Sequence, residues 1–194
     1  NSTIIDYLNG MHVGYYGSSN NLTITNGGTV FSEWGEIGES SGANGNTALV
    51  TGGGSLWSNA ASFYVGDGGS GNSLIVSSGG KVVNATASSA WSGIIGKQDA
   101  ASNNLVTVSD AGSLWSAGGD LFVGSNSINN RLVISNAGTV ANATGYIGWN
   151  TNASNNQVIA DVHQLLLDPL LLPQAKRKVA LHQFYYSNYG VQEM

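Results

Sequence analysis

Three of the chain's eleven acidic residues fall in one seven-residue run, EWGEIGE, where Glu33, Glu36 and Glu39 surround Trp34. Carboxylates a few ångströms apart can divide acid and base work at a glycosidic bond, and clustered carboxylates can hold calcium through their oxygens. An indole beside them would offer a flat platform for a sugar ring. A second stretch, GDGGSGN at Gly66 to Asn72, has the glycine and aspartate content of calcium-binding nonapeptide repeats. It occurs once, and that chemistry needs stacked copies.

Other chemistries find less support. His12, His163 and His182 lie in unrelated contexts with no ligand spacing, so zinc is not indicated. No serine sits in a nucleophile elbow, and the absence of cysteine removes disulfides and thiolate metal sites. With six Lys and Arg and a net charge of −5, the chain lacks the basic stripe that displaces counterions from nucleic acid. Lys176, Arg177 and Lys178 form one small basic cluster, read as a solvated face. Sequons at Asn1, Asn21, Asn84, Asn142 and Asn152 are about as many as chance supplies in a chain so rich in Asn, Ser and Thr. No catalytic residue, metal or cofactor is therefore assigned, and the expected protein is not an enzyme.

What must position these residues is a repeat. The asparagines Asn20, Asn46, Asn72, Asn104, Asn130 and Asn156 follow one another at steps of 26, 26, 32, 26 and 26 residues. Two and four residues after each stands an inward pair, such as Leu22 and Ile24, Leu74 and Val76, or Leu132 and Ile134. Period two denotes a strand. A corner glycine follows at Gly28, Gly54, Gly80, Gly112 and Gly138, and an aliphatic–glycine pair precedes every turn, from Val13 and Gly14 to Ile147 and Gly148. Three short strands and their corners in about 26 residues predict one coil of a parallel β-helix, each coil pairing with the next at ~4.8 Å. Six coils over residues 1–160 share a core that no single coil could bury. The asparagine column is read as a structural ladder, since stacked side-chain amides can hydrogen-bond from coil to coil.

Coils alternate in kind. Met11, Phe63 and Leu121 occupy a slot that Gly35, Gly93 and Gly145 fill in the intervening coils, while Trp57 and Trp115 alternate with Val30, Val82 and Val140. Large inward groups are thus expected to face small ones in adjacent coils. The 32-residue step places about six extra residues in VNATASSAWSG, Val83 to Gly93, a loop on one face with Trp91 as its first candidate contact residue.

The residues just outside the aliphatic–glycine column are His12, Glu36, Tyr64, Ile94, Phe122 and Tyr146. In this frame the neighbours of Glu36 are a histidine and a tyrosine rather than carboxylates. A spacing of three across strand and corner also predicts that Glu33, Glu36 and Glu39 do not share a face, so they are expected to be solvated. The contiguous part, Tyr64, Ile94, Phe122 and Tyr146, could form an exposed stripe for ligand docking or self-association. An ice-binding face would need a flat threonine ladder; Thr23 and Thr25 begin one, and Ile75, Val133 and Ile159 interrupt it.

The segments VTGGGSLWSNAASFYVGDGGSGNSLIVSSGGKV, Val50 to Val82, and VSDAGSLWSAGGDLFVGSNSINNRLVISNAGTV, Val108 to Val140, resemble the repeats of bacterial autotransporter passenger domains and related cell-surface β-helix proteins. The resemblance covers roughly Val13 to Ala160. It implies a right-handed parallel β-helix, secretion or display at the bacterial cell surface, and adhesion or self-association with a host or matrix surface, a glycan or another copy as partner. Polysaccharide binding or cleavage and ice binding are the alternatives. No leader and no apolar run long enough to span a bilayer is present, so a passenger fragment without membrane insertion is expected. From Asp161 the register stops, and DVHQLLLDPLLLPQAKRKVALHQFYYSNYGVQEM carries both prolines. Residues 161–194 read either as an irregular cap, with Leu165 to Leu167 and Leu170 to Leu172 over the last coil, or as a tail foreign to the fold.

Overall fold

The computed structural model describes residues 2–6, 10–85, 91–161 and 184–185. Among these residues every regular element is a β-strand and every strand pairing is parallel. Consecutive strands pass through three sheets in turn. The first sheet takes every third strand from Thr3–Asp6 to Thr139–Ala141, the second from Met11–Val13 to Gly145–Ile147, and the third from Asn21–Ile24 to Gln157–Ala160. The chain is therefore a parallel β-solenoid of about six coils, with its last coil strand ending at Ala160.

The asparagines form the expected ladder. Each offers its side-chain carbonyl to the coil before it: the Asn46 Nδ2 amide donates to Asn72 Oδ1 at 3.0 Å, and the Asn46 backbone N–H donates to the same oxygen at 2.8 Å. Amide-to-amide links join Asn20 to Asn46, Asn104 to Asn130 and Asn130 to Asn156 as well. Across the 32-residue step the backbone bond from Asn72 to Asn104 is made, and Asn72 Nδ2 finds no partner. The turn glycine of one coil receives the asparagine of the next. Gly66 has φ +76°, and a Cβ there would lie 2.2 Å from Asn104 Nδ2. The glycine and asparagine columns therefore require each other.

Inside, register puts Met11, Gly35, Phe63, Gly93, Leu121 and Gly145 in one column. Val30, Trp57, Val82, Trp115 and Val140 form another. Phe63 lies edge-on between Trp57 and Trp115, at 4.8 and 6.2 Å, and all three are fully buried. A Cβ at Gly35 would come within 2.5 Å of Phe63, so the small residues make the room that the rings fill. At about 1.5–3 kcal/mol for each buried large apolar side chain, this core dominates stability. A second interior polar column, which has no regular sequence signature, runs from Ser32 to Asn59 to Asn84. Asn84 is buried, so its sequon is not an accessible acceptor.

Register locates the extra residues of the 32-residue step between Asn84, paired with Asn59, and Gly93, paired with Phe63. Residues 86–90 lie outside the described part, and Trp91–Ile95 rejoins the second sheet with an irregular register between Trp91 and Gly93. The side chain of Trp91 is also outside it. So are His163, His182, Lys176, Arg177, Lys178 and the leucines of the tail; from the tail, Phe184–Tyr185 adds a seventh strand to the second sheet beside Gly145–Ile147.

Candidate functional site

The outer face of the second sheet gathers aromatic and ionisable residues that change from coil to coil. His12, Glu36, Tyr64, Ile94, Phe122 and Tyr146 stand in register there, as the repeat predicts. Beside them runs a further column that begins one residue past each turn glycine: Tyr15, Glu39, Asp67, Lys97, Ser125 and Trp149. Its backbone is held from coil to coil, with Glu39 N–H donating to Gly14, Asp67 to Gly38, Lys97 to Gly66, Ser125 to Gly96 and Trp149 to Gly124.

At the C-terminal end the face is aromatic. Phe122 and Tyr146 stack at 4.8 Å with 15° between planes, and Trp149 meets both edge-on at 5.5 and 4.6 Å. The stripe is continuous but not exposed along its length, because Ile94 and Phe122 are covered, at 0 and 2% exposure. Ile94 is flanked in register by Tyr64 and Phe122, and Phe122 by the rings stacked on it. In the middle, Lys97 Nζ lies 4.4 Å from the centre of the Tyr64 ring and 2.8 Å from Asp67 Oδ2. Gln98 donates to the other Asp67 oxygen at 2.7 Å. Burial pulls the Lys97 ammonium down, but Asp67 outweighs it and leaves the lysine above its ordinary range. Asp67 is thereby occupied, which removes the aspartate that a calcium loop at Gly66 to Asn72 would use.

At the N-terminal end the face is ionisable. His12 Nδ1 lies 3.2 Å from Glu36 Oε2 and 2.6 Å from Glu39 Oε2. The ligand atoms of the three residues lie within 4.8 Å of one another. The three glutamates do not all share one face, but Glu36 and Glu39 do, and the buried Glu36 overturns the expectation that they are solvated. Glu36 points outward between the inward Gly35 and Ile37. Gly38, at φ +76°, then turns the chain through the left-handed region, and Glu39 emerges on the same side. The ligand spacing missed for His12 is one between coils, since His12 and Glu36 are direct register partners 24 residues apart. Glu33 takes no part in the group. Nor is Trp34 a sugar platform beside it, because its indole lies over Gly10, where a Cβ would be 2.1 Å from Nε1.

Glu36 is the floor of this cluster, 8% exposed. Burial first, then the charges of Glu39 and Asp67, push its carboxyl up to about 8. Tyr15 packs edge-on to His12 at 5.1 Å, and its hydroxyl is raised by its bond to Tyr16 and by Glu39. A groove of about 410 Å³, lined by His12, Tyr15, Tyr16 and Asn20 among others, runs alongside. Comparison with protein-family models, curated proteins and solved structures gives no match.

Proposed function

We propose that the chain is a non-catalytic structural and adhesive module, displayed at a bacterial cell surface or secreted, that contacts a surface, a glycan or another copy through the outer face of its second sheet. One observation carries this reading. Inward, corner and ladder positions are consumed by coil stacking, whereas the outer columns of the second sheet change residue at every coil and set aromatic and ionisable side chains on a rigid backbone. The likeness of the repeats to autotransporter passenger domains supports export and display.

The test is binding of the purified chain to immobilised glycans and matrix proteins, with sedimentation velocity for self-association. Saturable binding or concentration-dependent assembly, weakened by Tyr146→Ala, is the expected result. A monomer with no partner in either assay contradicts it. Cleavage of polysaccharide is the second reading, favoured by the raised carboxyl of Glu36, as a general acid needs, with a second carboxyl, Glu39, beside it. Hydrolysis of a glycan panel that disappears in Glu36→Gln would establish it in place of adhesion.

A further inference from the structure

The geometry points to a divalent metal site formed by His12 Nδ1, Glu36 Oε2 and Glu39 Oε2 on the outer face of the first two coils, with zinc or a similar first-row cation as ligand. The inference is independent of the adhesive reading.

Three observations support it. First, one imidazole nitrogen and two carboxylate oxygens converge from different coils, with contacts of 2.6 and 3.2 Å and all three within 4.8 Å. One nitrogen and two oxygen donors on one side of an ion, with the rest of its shell open, suit zinc and its neighbours. Second, each of the three atoms is itself inaccessible, and the two carboxylate oxygens crowd onto His12 Nδ1 without reaching hydrogen-bond geometry. The side chain of Glu36 is 10% exposed and aimed into the cluster, while those of His12 and Glu39 are 24 and 25% exposed. Glu36 therefore forms a closed floor, and the solvent side gives an ion its route in. Two carboxylates turned onto a single imidazole nitrogen are poorly compensated when buried, and a cation offsets that cost.

Third, the neighbouring coil shows what this face does with a carboxylate when no ion is needed. Asp67 occupies the position equivalent to Glu39, one coil on, and is neutralised by Lys97 at 2.8 Å and bonded by Gln98 at 2.7 Å. Glu36 and Glu39 have neither a lysine nor an amide on the oxygens they turn toward His12. Two carboxylate oxygens and one imidazole nitrogen make a donor set that suits one divalent ion.

The experiment is titration of the chelator-stripped full chain with Zn²⁺, and separately Mn²⁺, by calorimetry, with bound metal counted by elemental analysis after gel filtration. The inference requires one saturable equivalent of at least one of the two ions. For that ion, Glu39→Gln and His12→Gln must each weaken binding by about 10- to 100-fold. Glu39 and His12 are partly exposed, so these variants keep the fold, and circular dichroism and the unfolding midpoint without metal check that they do. Absence of stoichiometric binding by either ion would overturn the inference. So would binding unchanged in both variants, which would place the ion elsewhere, for example on the tail histidines His163 and His182.

Discussion

The asparagine column and the outer columns of the second sheet run along the same solenoid and obey opposite rules. One carries the same residue in six coils, with every step from Asn20 to Asn156 bridged by a side-chain carbonyl; the other carries histidine, glutamate, tyrosine, isoleucine, phenylalanine and tyrosine in turn. A residue that every coil repeats answers a need that every coil has, namely pairing its corner to the next. A residue that appears once answers something outside the stack. The contrast separates side chains that build the solenoid from side chains the solenoid presents.

The widest separation should come from the repeated interior. Phe63→Ala empties the space between Trp57 and Trp115 that Gly35 and Gly93 leave open, and should cost about 3–5 kcal/mol in denaturant unfolding. A loss under about 1 kcal/mol would mean that the large–small alternation is not what packs the core. Next comes the ladder. Asn104→Ala removes the bonds to Asn130 and Ala101 and strands the Asn72 backbone N–H, for an expected loss of roughly 2–3 kcal/mol.

The outer columns should respond with the opposite sign. In metal-free protein Glu36→Leu is expected to be neutral or mildly stabilising, because a buried carboxyl that shares one imidazole with Glu39 is replaced by an apolar group of similar size. A large destabilisation measured by the same unfolding assay would move Glu36 into the structural class and dissolve the comparison. The smallest effect concerns Lys97. Its folded-state pKa lies above the ordinary 10.5, so the folded chain holds its proton more tightly than the unfolded one. The stability this adds is complete below the ordinary lysine value and is lost as pH rises through the raised one. Melting temperatures measured from pH 9 upward should therefore fall slightly more steeply for the native chain than for Lys97→Met.

Much of this was legible in the residues themselves, and the reason is periodicity. The register of Gly35 with Phe63, or of Tyr64 with Ile94, follows from aligning one coil on the next, because stacked parallel coils place equivalent residues side by side. The column starting at Tyr15 was equally available, since it begins one residue past a glycine column that is complete. Its residues share no chemistry, so nothing in the repeat marks the column as one. The Ser32, Asn59 and Asn84 column was hidden for a related reason: it spans only part of the stack and changes residue type along it.

The sequence by itself thus determined the coil length, the three sheets, the ladder and the large–small alternation, since stacking demands a residue in every coil and so leaves a periodic trace. Only the tertiary structure decided which unrepeated side chains meet. Glu39 joins Glu36 because Gly38 turns the chain through positive φ, and His12 joins both because its coil lies directly against theirs. Ile94 and Phe122 are covered because the groups around them happen to be large. Such meetings depend on corner geometry and on side-chain volume in three dimensions, and neither recurs along the chain.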